Sequence, residues 1–204
     1  MGDFCTVSDV EELLQVEISE ADQVASCERA ITAATAAIRN YTRQYIERVA
    51  DEEITLDVEA PCWEIVLPET PVISVSSVVE DDETLTAGRD EDYVLAQYGI
   101  LRRMGQRWEA GPQILVVTYT HGYLTIPDDI VDVCTRSAAR MFQAGLRAAA
   151  DDAVPGISGK SLGDFAVNYS SGAGGVGEGV MGVSASRALL LSEKDILDYY
   201  RPGA

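Results

Sequence analysis

Ser170–Gly179 reads SSGAGGVGEG, with Gly172, Gly174 and Gly177 in the G-x-G-x-x-G spacing. As a dinucleotide fingerprint it would make this a doubly wound α/β protein; as a plain glycine loop it leaves the fold to the rest of the chain. The fingerprint needs a βαβ unit of ~30 residues, with an acid closing the second strand to hold a ribose. Here the segment before the glycines, VNYSS, is polar rather than a buried parallel strand. Beyond Gly177 no second strand is legible, and Asp195 and Asp198 fall in a helical pattern. The run reads as a hinge, and no cofactor is expected.

Working outward, Ser192–Asp195 has capping spacing ahead of a short amphipathic helix, EKDILDYYR. The Gly/Ser-rich stretches on either side of DFAVNY make 151–204 an arm that carries this helix. Removing everything after Ser186 is then expected to spare the fold. Upstream, Pro127 fits a first helical turn and Asp128–Asp129 suit its positive dipole end. Ile130, Val133, Cys134, Ala138, Met141, Phe142 and Leu146 form one stripe of a long helix over about 127–149. At the other end, Ser8–Glu11 has the spacing of a capping box for a short helix, DVEELLQ. Ser19 is positioned to cap a long helix running to about Val49. Val24, Ile31, Ile38 and Tyr45, with Cys27, Ala34 and Tyr41 between them, form a heptad seam that wants a helical partner.

Between the long helices the period changes to two. EITLDV, CWEIVL, VISVSSVVE, DYVLAQ, GILRRM and QILVVTYT are short runs rich in β-branched residues, bounded by Pro, Gly and acidic clusters. Glu80–Asp92, EDDETLTAGRDED, reads as a charged hairpin tip. The expected fold class is α+β. Two long helices and a short N-terminal one form a core over 1–150, with a small antiparallel β region (about 53–120) inserted. The second part, 151–204, is the arm.

Composition narrows function. The chain of 204 residues is 47% hydrophobic, enough to fill a core, and has no apolar run long enough to span a bilayer. No basic-then-apolar leader is visible at its start. Net charge is −19, and residues 51–100 hold fourteen acids against one base, Arg89. Such a surface repels nucleic acid, because phosphate neutralisation supplies most duplex affinity. Cys5, Cys27, Cys62 and Cys134 lack any C-x-x-C spacing, so free buried thiols are expected and no metal. His121, the only histidine, reads as a turn residue bonding nearby backbone. No G-x-S-x-G elbow occurs, and adjacent carboxylates such as Asp128/Asp129 diverge on a helix. No catalytic residue is assigned and the chain is not expected to be an enzyme.

The order of elements is more specific. PVISVSSV (71–78), DYVLAQYGILRR (92–103), Trp108 ahead of GPQILVVTYTHGY (111–123), and IPDDI (126–130) opening a long helix resemble the head–tail adaptor proteins of long-tailed double-stranded-DNA phages, also called head-completion or connector proteins. ISGKSLGDFAVNYS (157–170) followed by LLLSEKDILDYYR (189–201) is similar to that family's hairpin and terminal helix. The sharpest piece is VTYTHGYLTIPDDI (117–130), and the expanded glycine loop at 170–183 is a departure.

The resemblance implies a structural virion protein in the neck, present in the host cytoplasm during assembly. It would form a ring of about twelve subunits beneath the portal protein, extend the DNA channel, and present a surface to the next neck protein, a stopper. DNA would pass through without specific binding, and no membrane is involved. Ile196, Leu197, Tyr199, Tyr200 and Arg201 would contact the portal, since Tyr and Arg dominate interface energies. Glu80, Asp81, Asp82 and Glu83 would face the next neck protein. Alternatives are an acidic DNA-mimic inhibitor, a tail terminator ring, or an enzyme whose scattered carboxylates converge in a pocket.

Overall fold

The computed structural model describes residues 2–150, 159–162, 165–168 and 188–202. The glycine run lies outside the described residues, and so does its reading as a hinge. The chain divides into two compact units: 1–38 with 128–196, and 39–127 with 197–204. The compositional break at 150/151 falls inside the first unit.

The first unit is mainly helical. Helix α1 (Val7–Leu14) starts two residues before the expected position: Thr6 is the N-cap and Asp9 closes the box. The Thr6 backbone N–H donates to Asp9 Oδ2 at 2.7 Å, and Asp9 N–H returns to Thr6 Oγ1 at 3.3 Å. Burial of Phe4 and Cys5 explains the shift, because it fixes where the chain enters the helix. Helix α2 (Ala21–Thr42) buries Cys27, Ile31, Ala34 and Ile38 in this unit, so its seam is satisfied within the subunit. It ends well before Val49, at Arg43, whose φ of 57° is left-handed. Tyr45, expected on the seam, lies past the helix and is exposed. Helix α3 (Asp128–Ala150) buries Ile130, Val133, Cys134, Ala138 and Phe142 as its stripe requires, whereas Leu146 is exposed.

The second unit is β-rich, and its sheets outgrow the small region expected. Strands β1 (Val49–Val58), β3 (Val72–Glu80), β4 (Glu83–Thr84) and β7 (Gly111–His121) form an antiparallel sheet in the order β1-β7-β3-β4. Strands β2 (Glu64–Val66), β5 (Tyr93–Ala96) and β6 (Ile100–Arg103) form a second, in the order β2-β6-β5. All six expected runs are strands. The one missed is β4, which follows a two-residue turn at Asp81 and Asp82, both with positive φ, the backbone that a tight right-twisted hairpin demands. Alternation along β7 buries Leu115, Val117 and Tyr119 against Val58, Val78, Tyr93, Leu101 and Trp108. In the first unit, β8 (Gly159–Leu162) and β9 (Phe165–Asn168) pair antiparallel as a hairpin.

Two local features hold the second unit. Arg103, 4% exposed, sits at 3.1 Å from Glu80 Oε2 and 5.5 Å above the Trp108 ring, and its Nη1 donates to the Asp92 carbonyl at 2.8 Å. Glu80 also accepts from the Glu109 amide at 2.8 Å, so both buried charges are satisfied. Gly122 sits at φ +83° where a Cβ would lie 2.3 Å from the Glu47 carbonyl oxygen, and its N–H donates to Pro71. Only glycine permits segments 46–48, 71 and 122–123 to meet this closely.

Removing one partner of the buried pair strands the other. Arg103→Ala is expected to cost about 3–5 kcal/mol, whereas Arg102→Ala, whose pair with Glu64 is solvent-exposed, should cost less than about 1 kcal/mol. Urea unfolding of both variants checks the contrast. In the same assay Gly122→Ala should lose at least about 2 kcal/mol.

Candidate functional site

The C-terminal residues form a short polar and aromatic surface. Helix α4 (Leu191–Leu197) begins two residues before Ser192 could cap its expected start, and Glu193 reaches back to accept from the Leu190 N–H at 2.8 Å. In the first unit Glu193 is buried and pairs with Arg140, with Nη2 to Oε2 at 2.8 Å. Ser137 Oγ donates to the Ala188 carbonyl, and Leu189 is buried. Residues beyond Ser186 therefore carry core and ion-pair contacts, and cutting there would expose them. The expectation that truncation spares the fold is corrected on that ground.

In the second unit, α4 continues as a 3-10 turn, Asp198–Tyr200. The Tyr41 hydroxyl donates to Asp198 Oδ1 at 2.7 Å, and this bond to a carboxylate holds the phenol above its usual pKa. Arg201 lies 5.4 Å over the Tyr41 ring and 3.4 Å from Asp198. Tyr200 stacks edge-on against Tyr123 at 6.0 Å and against Tyr199 at 5.4 Å. Tyr199 itself is 83% exposed. Of the five residues expected to bind the portal, Leu197 is fully buried, Ile196 and Tyr200 are half-buried, and Tyr199 and Arg201 face solvent.

The acidic tip divides similarly. Asp81, Asp82 and Glu83 are exposed at the β3–β4 turn, but Glu80 is in the interior with Arg103. Its charge is spent on that pair and is not presented to a partner.

The histidine and the shifted acids of the second unit make structural contacts. His121 is not in a turn but ends β7, fully buried, with Nε2 at 2.6 Å from Glu52 Oε2 and its ring 5.0 Å from that of Tyr119. Its main partner is thus a carboxylate on the neighbouring strand rather than local backbone. Burial pushes the Tyr119 phenol up to about 12. Glu69, which accepts the Tyr45 N–H at 2.9 Å, is held above the usual carboxylate range by burial. A shallow hollow lined by Asp57, Val58, Glu59, Ala110, Gly111 and Pro112 offers two carboxylates but no histidine or nucleophile to work with them. Among the described residues no group of three His, Cys, Asp or Glu side chains could hold a metal ion, and no helix is long and apolar enough to cross a membrane.

The sequence model of the head completion protein family matches residues 3–135. This chain belongs to the head completion protein family. Membership gives it a structural role in completing a phage-type head. The matched span takes in α1, α2, both sheets and the start of α3. It leaves out the C-terminal surface. No curated protein matches the sequence. Two solved structures are similar at 18% identity. One is the neck of an empty GTA particle computed with C6 symmetry, with a TM-score of 0.46, covering 66% of this chain and 77% of that one. The other is the neck of a native GTA particle computed with C12 symmetry, with a TM-score of 0.43, covering 67% and 75%.

The raised Glu69 yields a signed pH prediction. A carboxyl whose pKa is higher folded than unfolded lowers stability once ionised, and that cost fades as pH falls through the folded value. Glu69→Gln, which keeps an acceptor for the Tyr45 amide, should raise the thermal midpoint at pH 7. The gain should shrink toward zero below the ordinary value of 4.5, as read by melts across that range.

Proposed function

We propose that this head completion protein is the subunit of an adaptor ring that docks beneath the portal of a filled head. The ring, of about twelve copies, extends the DNA channel and offers its far surface to the next neck protein. The family match, to proteins that complete the head, supports the reading. The acidic surface agrees with it: a conduit that carries net charge of −19 per chain does not hold DNA by its phosphates.

Portal binding is assigned to Ile196, Leu197, Tyr199, Tyr200 and Arg201, with the direct contacts made by Tyr199 and Arg201. Tyr199 presents nearly its whole ring, and Tyr200 behind it is braced by Tyr123. An exposed aromatic on a packed support, beside an arginine, is the usual composition of an interface anchor. Leu197, being buried, serves by fixing the turn that presents them. The tip facing the next neck protein is assigned to Asp81, Asp82 and Glu83, with Glu80 anchoring the hairpin from below.

Native mass measurement and negative-stain imaging of the protein, alone and with its portal ring, test the assignment. A ring-shaped complex with about twelve added copies is expected. Tyr199→Ala combined with Arg201→Glu should weaken portal binding at least about tenfold while leaving thermal unfolding nearly unchanged. A folded double variant that binds the portal normally overturns the site. A wild-type chain that ignores the portal overturns the ring.

A further inference from the structure

We propose that Cys5 and Cys134 form a thiol–disulfide exchange site, which a low-molecular-weight disulfide converts to an intrachain bond stapling the N-terminal segment to α3. The two Sγ atoms are 3.4 Å apart across 129 positions of sequence, both in the first unit. Bond formation requires them to close by about 1.4 Å, within reach of side-chain rotation. The surrounding contacts hold the pair in register. Thr32 Oγ1 donates to Asp3 at 3.2 Å, the Phe4 amide donates to Thr35 Oγ1 at 3.1 Å, and Thr35 Oγ1 lies 3.5 Å from Cys134 Sγ. Three successive residues, 3 to 5, are thereby each fixed to α2 or α3.

The two thiols differ in a way that orders the chemistry. Cys5 Sγ donates to Cys134 Sγ, and the contact between the two thiols holds Cys5 below the usual thiol range and, together with burial, Cys134 above it. Cys5 is the attacking group. Its thiolate bonds to one sulfur of RS–SR, the S–S bond breaks, and one RSH leaves after protonation. Cys134 then gives up its proton to water, bonds to the Cys5 sulfur and displaces the second RSH. Two thiols are oxidised and one external disulfide is reduced, which balances the step. Access requires opening the non-helical segment before α1, where Phe4 and Cys5 are buried and Asp3 and Phe4 are hydrogen-bonded to α2. Cys27 stands apart: burial raises it to about 11, and it does not compete as nucleophile.

The inference does not rest on the neck reading. If that reading holds, the bond would form when a particle leaves a reducing cytoplasm for an oxidising exterior.

The test treats the reduced full chain with oxidised glutathione, blocks free thiols with iodoacetamide, and reads intact mass and linked peptides. The expected product has lost two hydrogens, carries two rather than four blocked cysteines, and shows one Cys5–Cys134 peptide. Its thermal midpoint should rise and return on reduction, since closing so long a loop restricts the unfolded chain. Cys5→Ser and Cys134→Ser should each abolish the cross-link, while Cys27→Ser and Cys62→Ser should preserve it. A stable Cys5–glutathione adduct, a bond involving Cys27 or Cys62, or no reaction at Cys5 would overturn the proposal. No portal is present in the assay, so its failure is separate from failure of the adaptor ring.

Discussion

A guanidinium sealed in the interior of the second unit sets the terms for what surrounds it. Arg103 could not be left there alone, because an unpaired charge out of water costs several kcal/mol. Glu80 at the end of β3 neutralises it, the Trp108 ring lies under it, and the Asp92 carbonyl takes a further N–H. Those partners come from separate stretches of chain. The buried charge therefore specifies how β3, β6 and the Trp108 loop meet, as well as contributing to their stability. A purely apolar core of Val78, Leu101, Leu115 and Val117 could slide; this one has a polar peg.

What the sequence made legible is what depends on short-range pattern. The alternation in 113–120 placed Leu115, Val117 and Tyr119 on one face, and the structure buries all three. The stripe from Ile130 to Phe142 is likewise a helix's own periodicity, visible without any partner. Element ends were less legible. Nothing in Thr42–Arg43–Gln44 announces a stop, since no Gly or Pro stands there. The helix ends because Arg43 turns left-handed and the following residues bond elsewhere: Arg48 N–H to the Tyr123 carbonyl and Tyr45 N–H to Glu69. Of the three expected caps, Ser19 falls one residue short of α2, and Ser8 and Ser192 were misplaced by two residues for a related reason. Ser8–Glu11 and Ser192–Asp195 satisfy a spacing rule, but burial of the preceding chain decided which residue entered the helix first.

Site residues were legible in type and not in placement. An acidic run such as EDDE looks uniformly solvated until Arg103, 23 positions away, takes its first member inward. DILDYYR reads as an amphipathic helix ready to dock, yet the fold assigns Leu197 inward and Tyr199 outward within three residues. The Cys5–Cys134 approach left no trace in sequence at all, because no spacing rule connects positions so far apart.

The ion pairs described above, Arg103–Glu80, Arg140–Glu193 and Arg102–Glu64, all place a guanidinium opposite a carboxylate. Only one side of such a pair can be switched off in water, since arginine keeps its proton to far above physiological pH. The chain's tolerance of its surroundings is therefore lopsided. Alkali leaves the guanidinium side of these pairs charged, so whatever loosens them in water must come from the carboxylate side.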